Sequence, residues 1–459
     1  MRIPRPSELI RLFRDGPAPS AVRSAFEGAS GRRAAGFGRA FGSHGPETLA
    51  AGPTLRPRAR SAHANNPLVR NAVDAFVAET VGAGIEAISA HPDPAMAETI
   101  SGAFYAAELD ADGRTDFRGM TAAAVLAVLV DGEAFFVAER RDGRTVWRHI
   151  PAEFVDESDT RELSDGYVVA GIEFANDGTR RAYHVRPQRP TDLFPGTHAS
   201  IRVPAEDMLH VFRPLGPGQV RGVSALAPIL STLSEYGQSS DALLVKLKAT
   251  AMHVAFITDV NGTAASAYDA AGIGEEGLSP GTVYRLGIGE DVRTAFPDAA
   301  QDAPAFLKTM RQQIAAGLGV PTHLLDGDLS DANYSSLRAG LLPFRAKVEQ
   351  FVYHTLVPQF LDPIFRRFVT DEYLAGRLDL PDLAPALKAE WLPPRHAQVD
   401  PQKDMAAAET ALRLGLTSRR QAVAQMGWNV AELDSEIAAD RAREAGLGLS
   451  FSTGGDDAV

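Results

Sequence analysis

"GVPTHLLDGDLSDANYSSLRAGLL", residues 319–342, decides how the rest of the chain is read. Before it, residues 305–319 carry apolar side chains at helical spacing, and Gly319 and Pro321 stop that pattern. After it, Leu337, Leu341, Phe344, Val348, Phe351, Val352 and Leu356 mark a second long helix, with a kink expected at Pro343. Between them stand Asp326, Asp328 and Asp331, then Ser330, Asn333, Tyr334, Ser335, Ser336 and Arg338. The spacing predicts a polar loop of roughly thirteen residues, long for a connector inside a compact domain and therefore a candidate for function.

Three close carboxylates raise the question of a metal. As a calcium loop, Asp326, Asp328 and Ser330 would fill the first, third and fifth positions. The sixth position is Asp331 where a turn needs glycine, and the twelfth is Leu337 where a bidentate glutamate belongs. A two-metal nuclease would need further carboxylates from elsewhere in the fold, and that reading stays open as the alternative from a different class.

Other catalytic patterns are missing. No G-x-x-x-x-G-K-S/T phosphate loop and no G-x-S-x-G elbow occurs, and the 11 histidines include no H-E-x-x-H. "GAGIEA" at Gly82–Ala87 fits a dinucleotide fingerprint, but a helical period precedes it where a strand is required. Its glycines are therefore expected to end a helix. "GIGEEG", residues 272–277, would turn two glutamates toward phosphates, which excludes it.

The 459 residues include no cysteine, so disulfides, thiolate metal sites and cysteine nucleophiles are excluded. Net charge is -12, from 46 Lys+Arg against 58 Asp+Glu, a field that opposes wrapping by nucleic acid. The longest apolar run, residues 122–130, is about half a membrane span, and the first residues lack a secretory core. No membrane partner and an intracellular site of synthesis are expected.

The fold class expected is α+β. Residues 1–60, rich in Arg, Gly, Pro and Ser, read as an irregular arm with at most one short helix. Helices follow "NNP" (residues 65–67) and cover 119–130, and β-prone runs fill 133–212, with hairpin turns at Asp142-Gly143 and Asn176-Asp177-Gly178. A long helix is expected from Ser224 to Ala251, and a strand-bearing insert over 253–302. At the C-terminal end, Asp400-Pro401, Ser418, and Asn429 with Glu432 open three helices that Gly415, Gly427 and Gly446 close.

Five ordered stretches carry a resemblance: residues 55–85, 112–137, 210–230, 319–342 and 399–418. Among them are "DGRTDFRGMTAAAVLAVLVDGEAFFV" and "HVFRPLGPGQVRGVSALAPIL". Together they resemble the lambda-type portal proteins of tailed bacteriophages over most of the chain. The departures are a short, low-complexity insert and Pro343.

The resemblance implies a portal fold: an arm at 1–60, a mixed α/β wing at 61–222, stem helices at 223–252 and 303–320, and a small α/β clip at 253–302. It also implies a tunnel loop at 321–336, a long helix returning to the wing over 337–399, and a helical crown at 400–459. It implies a ring of about twelve subunits at one capsid vertex, found in the virion and in the host cytoplasm during assembly. The partners implied are the terminase large subunit, head-tail adaptors, major capsid and scaffold proteins, and non-specific double-stranded DNA, with no cofactor and no enzyme activity. A portal of a domesticated gene transfer particle would share that chemistry. For the tunnel loop it implies Asp326, Asp328, Ser330, Asp331, Asn333, Tyr334, Ser335, Ser336 and Arg338 facing DNA. Carboxylates and small hydroxyls make a low-friction lining, because each added cation would grip phosphate.

Overall fold

The computed structural model describes residues 42–187, 199–251, 255–257, 283–285, 303–330, 333–394 and 401–449. Most of the insert over 253–302, including residues 272–277, lies outside these residues, as do residues 1–41, Asp331 and Asp400. The fold class is mixed α/β, as expected.

The first helix corrects the irregular arm. α1 (His44–Asn65) runs through Pro53 and Pro57, each of which removes a ladder hydrogen bond. Tertiary contacts offset that loss. Arg56 is buried and pairs with Glu133 at 3.0 Å and Glu157 at 2.7 Å, while Arg60 meets Asp131 at 2.7 Å and Glu153 at 2.8 Å.

Local chemistry sets the next elements. Asn66 accepts from the Leu68 and Val69 amides and Pro67 takes the first turn of α2 (Pro67–Val81). Gly82, at φ 50°, ends that helix, and β1 (Glu86–Ser89) comes after the glycines instead of before them. The dinucleotide reading fails on that order. α3 (Pro94–Tyr105) was not anticipated, although Asp93-Pro94 repeats the cap signal of α2. α4 (Phe117–Val130) leads into the strands.

β2 (Glu133–Arg141) pairs antiparallel with β3 (Arg144–Ile150) through the expected Asp142-Gly143 turn, where both residues have positive φ. The next antiparallel meander contains β4 (Arg161–Leu163), β5 (Gly166–Val169), β6 (Ile172–Ala175), β7 (Arg180–Val185) and β8 (Ile201–Pro204). The β-prone stretch "YVVAGIEF" (residues 167–174) divides into β5 and β6 at Ala170 and Gly171, with φ 48° and 78°. β9 (Met208–Phe212) returns to pair with β2. At the base of β2, Gly132 (φ 94°) lies so close to the backbone of Val223 that a Cβ would meet it at 2.3 Å.

α5 (Leu230–Ala251) and α6 (Ala303–Leu318) pack on each other and bracket the short strands β10 (Ala255–Ile257) and β11 (Val283–Arg285). Leu226, Ile229, Leu233, Ile314 and Ala315 join Val69, Val73, Phe344 and Val348 in one apolar cluster at their base. A second cluster gathers Phe104, Phe117, Phe136, Trp147, Phe360, Phe365, Phe368 and Trp391.

From Tyr334 to Leu374 the chain stays helical: α8 (Tyr334–Phe351), a π-helical stretch (Val352–Leu361) and α9 (Asp362–Leu374). The burial pattern follows the wide turn: buried pairs at 351/352, 355/356 and 360/361 are separated by four and then five residues, wider than the α period. At its end the Asp362 amide donates to the Val357 carbonyl, five residues back. α8 continues through Pro343, and α9 is anchored to the β2–β3 hairpin by Arg140–Asp371 at 2.6 Å and Arg144–Glu372 at 2.7 Å. β12 (Ala389–Leu392) then pairs with β1.

Three helices complete the described chain: α10 (Pro401–Arg413), α11 (Arg419–Gln425) and α12 (Val430–Leu447). Ser418 and Gln421 form a full capping box for α11. Two local expectations fail: Asn429 accepts from the Ala431 amide without a reciprocal Glu432 bond, and Gly448, not Gly446, closes α12. Of these helices' described residues, Ala422 alone is buried. Deleting residues 400–459 is accordingly expected to leave the remainder folded, with a melting temperature within a few degrees of the full chain. Loss of the cooperative thermal transition in calorimetry would show that the helices complete the core.

Candidate functional site

The stretch that opened the sequence reading forms a much shorter loop than expected. α7 (Thr322–Asp326) follows Pro321, Leu325 is buried, and Asn71 holds the α7 end by donating to the Leu324 and Leu325 carbonyls at 2.9 and 3.2 Å. Gly327, with φ 70°, supplies the left-handed residue that closes α7. On the other side α8 begins at Tyr334. The connection is therefore residues 327–333, and the expected loop over 321–336 is corrected at both ends.

The named side chains have separate roles. Asp326 pairs with Arg311 of α6 at 3.0 Å and its side chain is 9% exposed, so it fastens α7 to α6. Asp328 lies on the surface, where its Oδ1 accepts from the Ser330 amide at 2.9 Å and the Ser330 hydroxyl at 2.6 Å. Those bonds hold its carboxyl below the usual aspartate range. Leu329, between them, is exposed.

Asn333 is the cap of α8: its Oδ1 accepts from the Ser336 amide at 2.9 Å, and its own amide donates to the Ser336 hydroxyl at 3.0 Å. Ser335 is exposed in the first turn, and Tyr334, Ser335 and Ser336 thus belong to the helix. Arg338 donates to Asp404 of α10 at 2.9 Å. Asp331 lies outside the described residues. The structure leaves Asp328, Ser330 and Ser335 as accessible polar groups, while Asp326, Asn333, Ser336 and Arg338 fix the ends.

Arg311 and Asn71 were not singled out in the sequence, since their partners lie in other elements. The Asn333-x-x-Ser336 spacing was a readable cap signal. The metal reading weakens here, because Asp326 is already occupied by a guanidinium. Among the described residues no group of three or more His, Asp and Glu could hold a metal ion.

The loop links the α6–α7 segment to the long helix α8, and it lies within a stretch of chain that matches phage portal proteins in sequence. Within that class the chain belongs to the lambda family of phage portal proteins, whose model matches residues 30–351. A curated relative, the probable portal protein of Halomonas phage phiHAP-1, is 25% identical over 317 residues, covering 65% of this chain. The chain spans about 60% of the length of that relative. Among solved structures, the virion of a native gene transfer agent particle contains a chain 13% identical, with TM-score 0.42 and coverage of 86% and 97%. The neck of an empty gene transfer agent particle gives 14% identity, TM-score 0.43 and coverage of 82% and 93%.

Proposed function

We propose that this chain is a structural portal subunit, without enzyme activity, that closes into a ring of about twelve copies around a DNA channel at one capsid vertex. Family membership over residues 30–351 carries the reading. The surface agrees with it: Leu244, Val245 and Leu247 on α5 and Phe306 on α6 are each about half exposed or more, apolar area that a ring would cover. In this reading the α/β body is the wing, α5 and α6 are the stem, the insert between them is the clip, and α10–α12 are the crown. Terminase large subunit, head-tail adaptors, and major capsid and scaffold proteins are its partners.

Residues 327–333 are the tunnel loop, held by Asp326–Arg311 on one side and the Asn333 cap on the other. Rigid posts with a short acidic tip suit a surface past which DNA must slide. Electron-microscopic class averages and mass photometry of the purified chain at micromolar concentration are expected to give a closed ring of about twelve. Monomer alone at every salt concentration would remove the proposal's basis.

A further inference from the structure

We propose that the tip of the β2–β3 hairpin and the end of α9, with Arg140, Arg141, Arg144, Arg367, Arg377 and Leu374, form a docking surface for a carboxylate-rich segment of a partner polypeptide. The surface lies wholly within one copy, so it stands whether or not the ring forms.

Two buried carboxylates build it. The side chains of Asp371 and Glu372 are only 3% and 4% exposed. Asp371 accepts from Arg140 at 2.6 Å and from the Thr145 amide at 2.8 Å, and Arg367 stands 3.8 Å away. Glu372 accepts from Nε and Nη2 of Arg144, at 2.7 and 3.1 Å, and from the same two atoms of Arg377, at 2.8 Å each. Burial would raise the Glu372 carboxyl, but the Arg377 and Arg144 bonds hold it down to about 2, so it stays ionised.

The acids lie beneath and the guanidinium groups reach solvent. Arg140 is 57% exposed, Arg377 38%, and Arg144 and Arg367 30% each. Arg141, exposed at the hairpin, donates to the Ala111 carbonyl at 2.9 Å and has no ion pair among the described residues. Both oxygens of nearby Glu139 are already bonded to Arg148. Arg367, Asp371 and Leu374 follow one another along one face of α9, and Leu374 is 73% exposed.

The balance of charge separates a protein partner from a nucleic acid. Five guanidinium groups meet three carboxylates of this chain, Asp371, Glu372 and Asp207, and Asp142 stands in the hairpin turn. That leaves an excess of one positive charge on a chain of net charge -12. Gripping a phosphate backbone needs several cations in excess. Guanidinium forks fixed in advance instead read planar carboxylates at contact range, with little ordering left to do. Leu374 adds apolar area that a phosphate backbone leaves bare and an apolar side chain covers.

The purified full chain is titrated against a fluorescein-labelled peptide of repeating Glu-Glu-Leu, with binding read by anisotropy. Saturable binding is expected, and none to a Lys-Lys-Leu peptide. Arg141→Glu with Leu374→Ser is expected to weaken binding roughly tenfold or more. The melting temperature should not move, because the partners of Asp371 and Glu372 are untouched. A wild-type chain that ignores the acidic peptide, or a double variant that binds it equally well, overturns the proposal. A random-sequence DNA duplex bound more tightly than the peptide, and lost in the same variant, assigns the patch to phosphate and overturns it too.

Discussion

Glu133→Ala is expected to cost about 3–5 kcal/mol, the loss typical when one member of a buried ion network is removed. Glu133 is fully enclosed at the start of β2 and accepts from Arg221 Nη2 at 2.7 Å, Arg56 Nη2 at 3.0 Å, His210 Nε2 at 3.0 Å and the Gly222 amide at 2.8 Å. Removing it strands two buried guanidinium groups, with Glu157 left as a shared partner at 2.7 Å from Arg56 and 3.2 Å from Arg221. Arg56 comes from α1 and Arg221 also ties the carbonyls of Ala152 and Ala170, so the loss spreads to three segments. The melting temperature should fall by about 3–5 °C for a chain of this length. A fall of under 2 °C in calorimetry would show that this carboxylate does not hold α1, β2 and the Arg221 segment together.

The same cluster gives stability a pH dependence of definite sign. Burial would raise the Glu133 carboxyl, but the Arg221 charge and the His210 and Arg221 bonds hold it well below the usual range. Its contribution is present above the unfolded carboxylate range and is lost as pH falls toward the folded value. His210 acts in the same direction for a different reason. Burial between Phe135 and Phe212 pushes its imidazole down from 6.5 to about 4, and among the described residues its Nδ1 has no hydrogen-bond partner that would accept a second proton. The unfolded chain therefore takes up that proton first, and stability falls by about 1.4 kcal/mol per pH unit between those values. His210→Phe is expected to flatten urea-derived stability over that window, and an unchanged slope would remove His210 as its source.

The parts of this fold that were legible in the sequence are those decided within a few residues. Asn66-Pro67, Asp142-Gly143 and Ser418-x-x-Gln421 each satisfy or redirect their own backbone, so spacing alone places them. α1 was not legible because its prolines argue against helix locally, and Arg56 overrules them from across the fold. The π-helical stretch left one trace in the sequence, the five-residue step from 355/356 to 360/361, which a template with steps of three and four reads as ordinary helix. The loop was mismeasured for a related reason. Its acids and hydroxyls looked alike in sequence, whereas Arg311 claims Asp326 and the α8 backbone claims Asn333 and Ser336. Glu133 could be noticed only as an acid opening an apolar strand, since its partners stand 77 and 88 positions away.

Charge reversal at the loop tip tests the channel reading with the largest functional effect. Asp328→Lys with Asp331→Lys moves each loop by four charge units while leaving the Asp326–Arg311 pair and the Asn333 cap untouched. Among the described residues, Asp328 is exposed and its bonds run to Ser330 and to Asp326, so the ring should assemble as before. In a ring of about twelve, even six to ten simultaneous phosphate contacts would change DNA affinity by about 10³–10⁵ between 50 and 200 mM salt. DNA passing the loop would then be gripped at low salt and released as salt rises, the reverse of a surface built to let it slide. Packaging into procapsids is expected to fall at least about tenfold at physiological salt and to recover partly at higher salt. Normal packaging at both salts, by rings of unchanged symmetry, would place residues 327–333 away from DNA and leave the family fold without this role for its loop.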